Sequence, residues 1–123
     1  MASKKGKYVD GFVLPIPKKH LGYYKKMAAA AGKIWKEHGA LEFRENVGDD
    51  LNIKHGVPFP KIARAKSTET VFFSYIVYKS MAHRDKVNAK VMKDPRIAKM
   101  MQKKMPFDMK RMAYGGFKVL VDA

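Results

Sequence analysis

In the stretch KYVDGFVLPIP, residues 7–17, a carboxylate stands where a strand should carry none. Strand interiors disfavour Asp and Gly, and a buried carboxylate is costly unless something pairs with it. Period-two alternation places Asp10 on one face with Tyr8, Phe12 and Leu14. Two chemistries suit that position. As a structural group, Asp10 pairs with an arginine or a tyrosine, with Arg44, Arg84 and Arg111 as candidate partners. As a functional group it is a general base or ligand anchor in a dry pocket, its pKa raised by burial. Gly11 suits both, because it removes a side chain where another group comes close.

Further polar residues fall on faces that should be apolar. Arg84 and Asn88 stand at i and i+4 beside Val87 and Val91, so one helical stripe carries all four. They either cap loop carbonyls or line a pocket, and an arginine often buries its stem while exposing its head. Trp35 precedes His38 by one helical turn, at the end of a helix whose dipole favours a charged histidine. The candidate pocket is therefore Asp10, Trp35, His38, Arg44, Arg84 and Asn88, with no catalytic role assigned to any of them.

Other chemistries find no motif. The four histidines, at 20, 38, 55 and 83, lack ligand spacing, and with no cysteine the chain has neither thiolate metal ligands nor disulfides. No metal site and no cofactor are expected. Gly115-Gly116 lacks the spacing of a phosphate loop, and Asp49-Asp50 reads as a turn. No Ser-His-Asp arrangement follows from spacing.

The elements that must hold these residues can be read in order. Residues 8–16 form a strand, stopped by Pro15 and Pro17. Lys18 to His38 form a long amphipathic helix, with Leu21, Tyr24, Ala28, Ala31, Trp35 and His38 on its inward stripe and Gly39 at a left-handed C-cap. Residues 40–47 form a second strand, with Leu41, Phe43 and Val47 on one face. A loop of about twenty residues follows, long for a compact domain, with a short helix at PKIARA. TVFFSYIVY, residues 70–78, is the clearest strand. Ser80 caps a helix that runs to Met92, and Asp94-Pro95 restarts a short one. The last strand spans 111–121, with a bulge expected at its glycine pair. The order βαββαβ is the split βαβ arrangement of ferredoxin-like folds, an α+β class with an antiparallel four-stranded sheet and both main helices on one face.

Composition sets the outer bounds. A chain of 123 residues holds one domain, expected over 7–123 after a basic tail at 1–6. No run of residues reaches membrane-span length and the start lacks a signal peptide's apolar run, so a soluble cytoplasmic protein is expected. The net charge is +15, from 26 Lys and Arg against 11 Asp and Glu, and only five of the basic residues are Arg. Scattered Lys gives charge without base readout, so any nucleic-acid binding should be weak and salt-sensitive.

The segments YVDGFVLPIPKKHL, AGKIWKEHGALEFRENVGDD, ETVFFSYIVYKSMAHRDKVNAKVMKDPR and MPFDMKRMAYGGFKVLV resemble the YbaA-like bacterial proteins, a domain-of-unknown-function family. The resemblance runs from Tyr8 to about Val121. It implies a dimeric α/β-barrel fold, shared with cofactor-free monooxygenases, small-molecule-binding proteins and haem-degrading enzymes, and it implies no particular reaction.

Three functions compete. The first is a small-molecule-binding protein or cofactor-independent enzyme with its pocket between sheet and helices. The second is a basic nucleic-acid-associated protein, which an exposed aromatic sheet face would favour, although the RGFGFVxF-type signature is absent. The third is a structural or regulatory dimer without ligand. A homodimer is expected in any case, because the strands are apolar on both faces: Val71, Phe73, Tyr75 and Val77 oppose Phe72, Ile76 and Tyr78.

Overall fold

The computed structural model describes residues 6–123. Apart from Gly6, the expected basic tail lies outside the described residues. Four strands, β1 (Tyr8–Pro17), β2 (Glu42–Val47), β3 (Glu69–Tyr78) and β4 (Ala113–Lys118), form one antiparallel sheet in the order β2-β3-β1-β4. Two long helices, α1 (Leu21–Glu37) and α3 (Met81–Met92), cross over its one face, and α2 (Phe59–Ile62) and α4 (Pro95–Met101) are short. This is the ferredoxin-like βαββαβ arrangement.

Pro15 and Pro17 do not stop β1, which stays paired to β3 as far as Pro17 opposite Glu69. The reason lies in the neighbour. Even-numbered residues of β1 turn their amides toward β3, as in the Lys18 N–H to Thr68 carbonyl bond that continues the ladder. The prolines are odd-numbered, so their missing N–H groups point toward β4, whose pairing ends at Val13 opposite Ala113. No donor is missed there. The expected bulge in β4 is also absent: Gly115 and Gly116 pair in register with Gly11 and Asp10. Gly116 has a different cause, since a Cβ there would overlap the Tyr8 ring.

Two apolar clusters fill the space between sheet and helices. One gathers Ile34, Ile76, Tyr78, Val87, Val91 and Ile97 under α3 and α4. The other gathers Leu14, Ile16, Tyr24, Ala28 and Phe72 under α1. The helices end as their residues dictate. Gly39 takes a φ of 117° just beyond α1. The Ser80 hydroxyl caps α3 by accepting from the His83 N–H, and Asp94 caps α4 by accepting from the Arg96 N–H.

The other face of the sheet carries Val9, Gly11, Val13, Phe73, Tyr75, Phe117, Glu42 and Arg44 by register. The long loop covers part of it, setting Phe59 of α2 6.3 Å from Phe73, ring centre to ring centre. Even so, Phe73 remains 49% and Phe117 63% exposed.

Candidate functional site

The six residues singled out from the sequence do not converge on one pocket. Asp10 is buried, and Arg84 Nη1 donates to its Oδ1 at 2.8 Å. Arg84 Nε is also bound to Asp85 at 2.7 Å, and its guanidinium lies 5.1 Å from the centre of the Tyr8 ring. That ring occupies the room Gly116 leaves. Burial pushes the Asp10 carboxyl up against the pull of Arg84 and Asn88. Asn88 Oδ1 accepts from both Trp35 Nε1 and the Tyr78 hydroxyl, each at 3.2 Å. Asp10, Arg84, Asn88, Trp35 and Tyr78 thus form a polar strut inside an apolar layer, tying β1 and β3 to α3 and α1. Its groups are spent on one another, which is how a buried polar network stabilises rather than costs.

His38 lies elsewhere. Its Nε2 sits 2.8 Å from Asp94 Oδ2, and Arg96 bonds both Asp94 and Glu37. These four residues clasp the end of α1 to the start of α4. The Arg96 and His38 contacts hold the Asp94 carboxyl far below the usual carboxylate range. Arg44 is exposed and, by register with Tyr75, belongs to the opposite face of the sheet.

A different carboxylate occupies the space between α1 and the sheet. Glu45 follows Phe43 by two on β2 and therefore points inward. Its Oε1 accepts from the Tyr24 hydroxyl at 2.8 Å and from the Ser74 hydroxyl at 2.5 Å. Oε2 receives no hydrogen bond from the described residues, and none of their buried side-chain oxygens lacks a partner, so Oε2 keeps access to open space. Burial raises the Glu45 carboxyl above its ordinary value despite the two donors, and burial beside Glu45 raises the Tyr24 hydroxyl as well. Among the described residues no cation pairs with this carboxylate.

Glu45 borders a cavity of about 230 Å³ walled by Phe12, Met27, Trp35, Phe43, Phe107 and Met112, with Ala28 and Ala31 beneath α1. A broader groove of about 1120 Å³ along α1 and β2 shares Tyr24, Ala28, Phe43 and Glu45 with it, and Lys25, Lys33 and Lys36 line that groove. Small residues on α1 create the space. Gly32 is the closest approach, since a Cβ there would lie 2.8 Å from the Phe43 ring. Glu45 was not singled out from the sequence because its neighbours Glu42 and Arg44 make β2 look like a solvated edge. The alternation Phe43-x-Glu45-x-Val47 is the same signal that marked Asp10.

Among the described residues there is no cluster of His, Cys, Asp and Glu that could hold a metal ion, and no helix is long and apolar enough to cross a membrane.

Residues 7–109 match the family described as "Protein of unknown function (DUF1428)". The chain belongs to this family. It is 43% identical over 116 residues to the "Uncharacterized protein YbaA" of Escherichia coli (strain K12), covering 94% of this chain and 98% of that one. The YbaA of Shigella flexneri matches to the same extent. Among solved structures, a NIPSNAP family protein with unknown function from Agrobacterium tumefaciens superposes with a TM-score of 0.57 at 14% identity, over 94% of this chain and 89% of that one. At that identity the likeness speaks to the fold alone.

Proposed function

We propose that this protein binds an apolar small molecule between α1 and the sheet, with Glu45 as its polar anchor. The supporting observation is a carboxylate oxygen left without a partner beside an apolar cavity: natural pockets join apolar walls to a few placed polar groups. A raised carboxyl pKa in such a place is also what a general base needs, so the same site suits a cofactor-independent enzyme. The Asp10–Arg84–Asn88 strut does not line this site and meets it only through Trp35, whose indole N–H it holds. Calorimetric titration with 2-naphthol tests the reading. Saturable uptake of one molecule per chain, lost on filling the cavity with Ala31→Phe, supports it; uptake that survives the filling variant removes it.

We further propose that the protein works as a homodimer closed sheet to sheet, the dimeric α/β-barrel arrangement. The open face favours a second copy over nucleic acid. It does expose Phe73 and Phe117, but its strands carry Arg44 alone as a cation there, with Glu42 beside it. A backbone-binding surface needs several cations among its aromatics. Gly11 and Gly115 lie paired on this face, and neither is demanded by crowding within the chain: a Cβ on Gly11 would meet only the Phe117 ring, at an ordinary 3.5 Å, and one on Gly115 would meet nothing. They leave a shallow track that side chains from a partner sheet can occupy.

A further inference from the structure

Resting on the cavity reading above, we propose that this site selects neutral apolar molecules that carry a hydroxyl or N–H donor, and that the donor binds Glu45 Oε2.

The polar inventory of the cavity decides the sign of the ligand's polar group. The Tyr24 and Ser74 hydroxyls both donate to Glu45 Oε1, and Trp35 Nε1 donates to Asn88. Arg44 and Tyr75 also border the space, but register puts them on the opposite face of the sheet. The side-chain donors turned toward the cavity are therefore committed, and the one side-chain polar site on offer is an acceptor. A ketone or ester entering here would bury its carbonyl with no side-chain donor to meet it, at the cost of a poorly satisfied polar group. A ligand donor on Oε2 makes instead a charge-assisted bond to the ionised carboxylate, the stronger kind.

Charge at the approach disfavours the other donor class. An ammonium ion would complete an ion pair with Glu45, but the groove sets Lys25, Lys33, Lys36 and Arg44 against Glu37 and Glu42, and Glu37 is already paired with Arg96. The chain as a whole carries +15. A site that discriminates through like charges at its mouth turns cations away before the carboxylate is reached. The neutral donor meets no such opposition. The aromatic walls, Phe12, Trp35, Phe43 and Phe107, suit a flat ring on its apolar side.

Three probes of one shape separate the possibilities: 2-naphthol as donor, naphthalene with no polar group, and 2-acetylnaphthalene as acceptor. The expected order on the full-length protein is naphthol tightest, by about tenfold over naphthalene, as one hydrogen bond to a charged group provides, with the ketone weakest. Glu45→Gln leaves the shape unchanged, and Tyr24 and Ser74 then hold the amide carbonyl and turn the amide N–H₂ to the cavity. In that variant the naphthol preference should vanish and the ketone should gain. Equal affinity of all three probes for the parent protein overturns this inference while leaving the cavity reading standing. A parent protein that takes up none of them overturns both. The parent series alone decides the matter if the variant fails to fold.

Discussion

Asp10 and Arg84 stand 74 residues apart in sequence and 2.8 Å apart in space, and the two ends of this pair are not equally solvated. The Arg84 side chain keeps 22% of its surface and the Asp10 side chain only 9%. If Asp10 is removed, Arg84 still reaches water and Asp85. If Arg84 is removed, a carboxylate is left buried with Asn88 as its remaining donor. Arg84→Ala should therefore cost more than Asp10→Ala, about 3 kcal/mol against about 2 at neutral pH, after allowing for the partial exposure of the guanidinium.

The sign of the pH dependence in Arg84→Ala follows from the same burial. Without the guanidinium, the Asp10 pKa rises further above its ordinary 3.8. The folded state then holds a proton the unfolded state releases, so stability falls as pH rises through the window above 3.8. Chemical denaturation of the variant at pH 4 and pH 7 measures this. A deficit that shrinks at pH 4 is expected, and one that grows there would mean Asp10 is hydrated in the variant.

Glu45 predicts a stabilising mutation of a site residue. Its folded pKa lies above the ordinary 4.5, so ionisation costs stability as pH rises through that window and the cost persists above it. Glu45→Gln removes the ionisation while keeping an acceptor for Tyr24 and Ser74. Relative to the parent, the variant should gain stability between pH 4 and pH 8. Such a gain would place Glu45 among residues kept for what they bind rather than for the fold.

The opposite sign holds at Glu69. Arg111 donates to both of its carboxylate oxygens, at 2.7 and 2.8 Å, and holds its pKa down to about 2. This bidentate pair contributes stability that is fully present above pH 4.5 and is lost as pH falls toward 2. Glu69→Gln should flatten the acid limb of the unfolding profile over that interval. An acid limb unchanged by the substitution would move the effect to Asp94, whose clasp with His38 and Arg96 titrates with the same sign.

How much of this was legible in the sequence depended on whether the signal was local. The Phe43-to-Val47 alternation, the three-and-four spacing along α1 and the Ser80 and Asp94 caps are all written within a few residues, and the elements follow them. The inward position of Asp10 was local in the same way. Its partner is not: three of the five arginines are candidates, and only the crossing of α3 over β1 selects Arg84. The His38–Asp94 clasp spans 56 residues and depends on how α4 turns back toward α1, which no periodicity records. The prolines of β1 misled because a proline's cost in a strand depends on whether a neighbour lies on its amide side. Glu45 obeys the same local alternation, but Arg44 and Asn46 on either side of it make the stretch resemble a solvent face.

The last prediction concerns the face that no helix covers. Phe117 is 63% exposed in the single chain and lies across Gly11 at the centre of the open sheet. In a monomer, Phe117→Lys would exchange one exposed side chain for another, and its effect on stability would stay within about 0.5 kcal/mol. In a sheet-to-sheet dimer the same change buries an unpaired ammonium in an apolar seam twice over, once from each copy. Light scattering after chromatography should give the parent twice its chain mass of 14.0 kDa at micromolar concentration and a melting point that rises with protein concentration, with Phe117→Lys shifted to 14.0 kDa and its melting point independent of concentration. Arg44→Ala, on the rim of the same face, should leave the dimer intact, because rim charges contribute little to affinity. A parent chain that elutes as a stable monomer would mean that the sheet tolerates its exposed aromatics, and the nucleic-acid reading of that face would then regain ground.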